Sequence, residues 1–182
     1  LLLYANSRDR IQMEAGGHYN RILGTSSHLG ENRLRNNQLD QATVEEQLSY
    51  ISGASMLVTK KFLETVGLLD ERYFLFYEEL DWSLRSKGRF KLAYAPESVI
   101  YHNVGASTGS RARAFRKSDL ADFYGIRNRI LLTKRFYPFY LPTVYLGLIF
   151  AVLKRLLRGQ LRRAWRCFGL MVTLGGLAVP VF

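Results

Sequence analysis

Along residues 1–49 the apolar positions keep neither a two-residue nor a 3.6-residue period. Gly16-Gly17, Gly24, Thr25-Ser26-Ser27, Gly30 and Asn36-Asn37 add turn chemistry there. The pattern predicts a loop-rich surface region. From Tyr50 to Val58 the chain turns apolar with small residues in the middle, which predicts a buried strand with Gly53 as the point where another group closely approaches the backbone. Thr59 then stands as a helix N-cap, Phe62, Leu63 and Val66 share a face, and Gly67 closes a short helix.

The aromatic run Phe74-Leu75-Phe76-Tyr77 leads into Glu78-Glu79-Leu80-Asp81-Trp82-Ser83-Leu84-Arg85. Acids belong at a helix start, where unpaired N–H groups and the positive end of the helix dipole favour them. A short helix is therefore expected, with Leu80 and Leu84 inward, Asp81 and Arg85 one turn apart, and Gly88 as its stop. Arg89 to Ala95 alternates with Phe90, Leu92 and Tyr94 on one side, the mark of a half-buried strand. Pro96 turns it, residues 98–102 read as a second short strand, and residues 103–110 as a loop of small residues.

From Asp119 to Leu132 apolar and aromatic residues recur at helical spacing. Residues 136–153 carry no charge, but Pro138 and Pro142 in the first third argue against one regular spanning helix. Lys154 to Arg166 follows with six basic residues and no acid. Placed on a single helical wheel, Leu153, Leu156, Leu157, Leu161, Ala164 and Phe168 oppose Arg155, Arg158, Arg162 and Arg166, the signature of an interfacial helix. Residues 167–182 are again uncharged, with Gly175-Gly176 and Pro180.

Charge sharpens this division. The 182 residues have a net charge of +11. Residues 1–110 hold 12 Lys/Arg against 13 Asp/Glu and residues 111–182 hold 14 against 2, so the excess lies wholly in the second part. A basic segment of this kind meets a polyanionic surface, anionic lipid or nucleic acid. The interleaved apolar stretches favour a membrane surface, and no nucleic-acid partner is expected. Basic residues at both ends of the first apolar stretch disfavour a single crossing and favour segments that lie on or dip into the cytoplasmic leaflet, with a spanning hairpin as the second option. The single Cys167 excludes an intramolecular disulfide and a cysteine zinc cluster, and suits a reducing compartment. The start, Leu1-Leu2-Leu3-Tyr4, does not read as a secretory signal but as a point inside a domain.

The candidate chemistry centres on Glu78, Glu79 and Asp81. Acids at a helix start serve as caps or, when aromatic neighbours hold and desolvate them, as a catalytic base, and the residues alone leave both open. Trp82 offers a face for sugars or bases as readily as it fills a core. His102, at a strand end, is a structural residue or a metal ligand. No serine triad, P-loop, dinucleotide glycine motif or Asp-x-Asp is present.

Residues 52–58, Gly67 through Arg85, Tyr101-His102-Asn103-Val104-Gly105-Ala106-Ser107-Thr108 and Tyr124-Gly125-Ile126-Arg127-Asn128-Arg129 resemble, in order and spacing, the second half of family 2 glycosyltransferases. The members most similar are rhamnosyl- and galactofuranosyl-transferase-like enzymes of bacterial surface polysaccharide synthesis, and the resemblance covers roughly residues 10–135. It implies an α/β fold, with residues 1–118 as the acceptor-side part of a GT-A nucleotide-sugar transferase domain; residues 119–182 are expected, from their own charge and apolar pattern, to follow it as basic, amphipathic, membrane-associated helices. Its catalytic base falls on Glu79, flanked by Glu78 and Asp81, and deprotonates an acceptor hydroxyl for inverting attack on the anomeric carbon. This chain has Glu where Asp is commoner, so the carboxylate reaches one methylene further.

Gly53 and Ala54 are implied to line the substrate pocket, Trp82 and Arg85 to shape it, and His102 to help hold a divalent metal, Mn or Mg. The family's nucleotide-binding half with its Asp-x-Asp is not in this sequence. The metal is therefore expected mainly from that half, and this polypeptide alone is expected to be inactive. The expected partners are a nucleotide-sugar donor, a glycan or lipid-linked acceptor and an anionic membrane surface. The expected location is the cytoplasmic face of a bacterial membrane, peripheral or re-entrant. The readings that compete are a non-catalytic membrane-surface module and a nucleic-acid-binding protein.

Overall fold

The computed structural model describes residues 1–103 and 118–176. The predicted small-residue loop beyond Asn103 and the last six residues lie outside them. The chain is a mixed α/β protein with two small sheets followed by helices, and it divides into two compact units.

The first unit comprises residues 1–19, 26–72 and 78–103 among those described. Strand β1 (Leu2–Tyr4) is central in a three-stranded sheet, antiparallel to β2 (Ser7–Met13) and parallel to β6 (Ile100–His102). Strand β3 (Gly16–Asn20) is central in the other, between β4 (Thr25–His28) and β5 (Tyr50–Ile51). Gly16 and Gly17 pair with Ile51 and Tyr50, so close that a Cβ at Gly16 would overlap the Tyr50 carbonyl. Helix α1 (Gln41–Gln47), capped by the Asp40 side chain on the Thr43 N–H, covers a core of Leu1, Leu3, Ile11, Leu29, Val44 and Tyr94. The expected loop region is thus four strands, a helix and much of a core. Strand β1 is apolar but only three residues long, β2 to β4 are largely polar, and Gln12 and Glu14 are buried, so no hydrophobic period announced them.

The strand predicted from Tyr50 to Val58 ends at Ile51, where a turn from Ser52 to Ser55 takes over. The strand predicted over Arg89–Ala95 is absent as a ladder, although Phe90, Leu92 and Tyr94 do turn inward while their neighbours are exposed. Side chains of α1 replace the missing strand: the Tyr94 N–H donates to Glu45 Oε1 at 2.9 Å, and Gln41 Nε2 donates to the Tyr94 carbonyl at 2.9 Å. The Tyr94 backbone is satisfied without a sheet neighbour.

The second unit comprises residues 20–25, 73–77 and 118–176 among those described. Helix α4 (Asp119–Phe136) packs with α5 (Leu141–Leu157) and α6 (Leu161–Val172) around Phe123, Ile126, Ile130, Val144, Leu148, Cys167 and Leu170. Pro138 opens a single 3₁₀ turn and Pro142 lies in the first turn of α5, where a missing N–H costs no helical bond. The prolines therefore start the helix instead of breaking it, and Pro138–Leu157 is long and apolar enough to cross a membrane by length and composition. The single interfacial helix expected across residues 153–168 is interrupted at Gly159, which takes a φ of 67° between α5 and α6. Nor is its basic arc a solvated face throughout. Arg155 donates to Asp122 at 2.6 Å, while Arg163 and Arg166 close on Asp119.

Candidate active site

Helix α2 (Lys60–Val66) and helix α3 (Glu78–Ser86) frame the site in the first unit. Helix α2 begins and ends as its sequence indicates, with Thr59 Oγ1 accepting from the Phe62 N–H and Gly67 at a φ of 81°. Helix α3 begins on the acids, with Glu78, Glu79 and Asp81 in its first turn.

Glu79 reaches the turn after β5. Its Oε1 accepts from the Gly53 N–H at 3.1 Å, and a Cβ at Gly53 would overlap that oxygen. Gly53 is thus the point of close approach, and the group that approaches is the Glu79 carboxylate. Ala54 follows it, exposed, with its N–H directed at Ser52 Oγ 3.4 Å away. Burial pushes the Glu79 carboxyl above its ordinary value, while its own N–H and that of Gly53 oppose the rise.

Glu78 sits beside it in a different environment. Its Oε2 is buried and has no hydrogen-bond partner among the described residues. Burial, reinforced by the adjacent Glu79 charge, pushes the Glu78 carboxyl up to about 7. Each carboxylate is favoured by its own N–H, and Glu79 alone has the further donor at Gly53. Near neutral pH Glu78 is therefore partly protonated.

The remaining expected site residues take structural positions. Asp81 is fully buried, 0% exposed, and accepts from Arg85 Nε at 2.7 Å. Arg85 also donates to the carbonyls of Val66 and Leu68 at 2.6 and 2.8 Å, tying the end of α2 to α3. Trp82 is 6% exposed, donates Nε1–H to the Gly67 carbonyl at 2.8 Å, and meets the Phe62 ring edge-on. An indole so covered offers no face to a sugar. Asp81, Trp82 and Arg85 hold the helix that carries Glu78 and Glu79.

His102 is on the other sheet of this unit, paired opposite Tyr4. Its Nδ1 lies 2.9 Å from Gln12 Oε1, a contact that fixes the orientation of the ring. One imidazole is not a metal site. Among the described residues no three His, Cys, Asp or Glu side chains are arranged to hold an ion, so the residues present do not by themselves fit the implied divalent metal. A separate cleft of about 760 Å³, lined by Arg8, Asp9, Leu34, Arg35, Asn36, Gln38 and Tyr101, shares no residue with the carboxylate pair.

One residue with a clear structural task received no role from sequence. Asn128, on α4 and 0% exposed, donates through Nδ2 to the carbonyls of Tyr73, Leu75 and Phe76 at 2.7, 2.8 and 3.0 Å. That segment holds Phe74, Phe76 and Tyr77 at φ of 57°, 66° and 73°. Three such residues outside glycine are costly and need external support. The available signal was an amide placed between Ile126 and Ile130 on the core face of its helix.

No family model matches the chain, and no solved structure matches it. Over 66 residues it is 33% identical to the N-acetylglucosaminyl-diphospho-decaprenol L-rhamnosyltransferase of Mycobacterium tuberculosis, in the CDC 1551 / Oshkosh and H37Rv strains. The chain is distantly similar to a glycosyltransferase. The matched stretch is 36% of this chain and 22% of the relative, which is a family 2 enzyme. The chain thus spans well under two thirds of the length of the relatives it matches.

Proposed function

We propose that this chain carries the acceptor-activating part of an inverting GT-A glycosyltransferase, with Glu79 as the general base. The observation that carries the reading is the unequal carboxylate pair. Glu79 is fixed by the Gly53 N–H, and Glu78 is buried beside it with one oxygen unpartnered. A base gains proton affinity from burial, and at Glu79 burial does this while its own N–H and the Gly53 N–H favour the ionised form. The Glu79 carboxylate takes the proton of an acceptor hydroxyl, the oxygen attacks the anomeric carbon, and the bond to the nucleotide diphosphate breaks on the opposite face.

Asp81 and Arg85 act as positioning residues for this turn, and Gly53 and Ala54 border the space in front of the carboxylate. The partial similarity to a rhamnosyltransferase acting on a lipid-linked saccharide supports a nucleotide-sugar donor and a glycan or lipid-linked acceptor. It also supports a place in cell-surface polysaccharide synthesis. Donor diphosphate binding and the divalent ion that neutralises it are assigned to residues outside this chain.

The test is nucleotide-sugar turnover by the longest expressible protein containing this sequence. Glu79→Gln should lower kcat by about 10²–10⁴-fold with KM little changed. Activity within threefold of the parent would exclude Glu79 as the base and favour a non-catalytic module.

A further inference from the structure

Helices α5 and α6 form an antiparallel hairpin, because the Tyr145 hydroxyl near the start of α5 donates to the Met171 carbonyl near the end of α6 at 2.7 Å. Each turns one face into the bundle, Val144 and Leu148 from α5 and Ala164, Cys167 and Leu170 from α6. The faces left outside are also apolar. On α5 they are Leu146, Ile149, Phe150, Leu153 and Leu157, at the three- and four-residue steps of one helical stripe. On α6 they are Leu161, Trp165, Phe168 and Val172, stepping four, three and four.

This exposure is extensive: Phe150 is 70%, Leu157 90% and Trp165 76% exposed. The apolar stretch Pro138–Leu157 has a mean hydropathy of 1.5 with only 11% of it buried, whereas an apolar helix serving as a soluble core would be mostly covered.

Charge selects what covers these stripes. Residues 118–176 contain ten Lys/Arg and two acids, Asp119 and Asp122. Both acids are in ion pairs within the bundle, with Arg163 and Arg155 respectively. Lys154, Arg158 and Arg162 stay exposed around the hairpin turn, beside Leu153, Leu157 and Leu161. An apolar stripe rimmed by cations with no acid outside the ion pairs complements acyl chains below a layer of phosphates. A second copy would set like charges against each other, and nucleic acid would leave the aliphatic stripes in water. Trp165 suits the boundary itself, with an apolar ring and a polar N–H. Twelve residues of α6 span about 18 Å, short of the roughly 30 Å hydrocarbon layer, so this helix lies along the surface.

We propose that the outward stripes of α5 and α6 dock the protein on an anionic lipid leaflet, with Lys154, Arg158 and Arg162 on the phosphates and Phe150, Leu157 and Trp165 among the acyl chains. The proposal does not rest on sugar transfer, and its test reads no activity. The purified chain is sedimented with phosphatidylcholine vesicles, with and without one third phosphatidylglycerol. Binding should be at least about tenfold tighter to the anionic vesicles, and Trp165 emission should shift to the blue, a shift lost in Trp165→Phe while buried Trp82 is unmoved.

Arg158→Ser/Arg162→Ser should weaken binding to anionic vesicles by about 10–30-fold and leave any binding to neutral vesicles unchanged. Phe150→Asp/Trp165→Asp should abolish both. If the aspartate pair fails to fold, the arginine pair, exposed and outside the core, still decides. Absence of vesicle binding overturns the proposal. Concentration-dependent dimerisation without vesicle binding overturns it in favour of contact between copies, and tighter retention of RNA or DNA than of anionic vesicles at matched salt overturns it in favour of nucleic acid.

Discussion

Gly53 and Glu79, 26 residues apart in the chain, are joined by one hydrogen bond from the Gly53 N–H to Glu79 Oε1 at 3.1 Å. No side chain fits between them, because a Cβ at Gly53 would lie on the carboxylate oxygen. The bond distinguishes Glu79 from Glu78, its neighbour in the first turn of α3, and it is the geometric basis on which Glu79 is proposed as the base.

Gly53→Ala tests that relationship. The clash falls on the mobile end of Glu79, so the carboxylate swings away and stability changes by less than about 1 kcal/mol. Without the Gly53 donor the Glu79 carboxyl should titrate higher than in the parent. Carboxyl-detected NMR titration of both proteins checks the direction.

Glu78 makes stability depend on pH. Its folded-state carboxyl is raised to about 7 from an unfolded value near 4.5, so between these values the native state binds more protons than the unfolded one. Stability should therefore be highest near and below pH 4.5 as far as this group is concerned, and fall as pH rises to about 7. Glu78→Gln removes the dependence and should stabilise the protein above pH 7 by on the order of 1 kcal/mol after solvent screening. Urea unfolding from pH 4.5 to 8 measures both.

Asp81→Ala leaves Arg85 inside the structure without its carboxylate. Breaking a buried pair in this way costs about 3–5 kcal/mol, and Arg85→Ala in the same background should recover part of the loss. Denaturant midpoints of the two single variants and the double variant give the coupling. A cost below about 1 kcal/mol would show that the pair does not brace the turn.

Asn128→Ala leaves three carbonyls without their amide and should cost about 2–3 kcal/mol. Asn128→Asp should cost more, since it sets a carboxylate against the same oxygens. Hydrogen exchange should show the loss first at the amides of residues 74–77, where the left-handed Phe74, Phe76 and Tyr77 depend on that support.

The legible parts of the fold were those written in local chemistry. Thr59 and Gly67 bounded α2, the acids started α3, and Phe90, Leu92 and Tyr94 turned inward even without a strand, because caps, first-turn donors and alternation act within a few residues. The first 49 residues were not legible. Strand β1 is too short to show a period, β2 to β4 are largely polar, and the buried positions include Gln12 and Glu14, whose burial depends on partners such as His102 and the Leu39 N–H.

By itself the sequence determined where α2 and α3 begin, which acids share a turn, and that positive charge and apolar stretches gather in the last third of the chain. The tertiary structure alone decided that Glu79 meets Gly53, that Glu78 loses water on one oxygen, that Asp81 and Trp82 are sealed in, and that Arg155, Arg163 and Arg166 are neutralised while Arg158 and Arg162 are not. The reason is physical. Caps and periodicity are set by neighbours along the chain, whereas desolvation and pairing are set by whatever the fold brings alongside, and it is desolvation and pairing that give neighbouring carboxylates different environments.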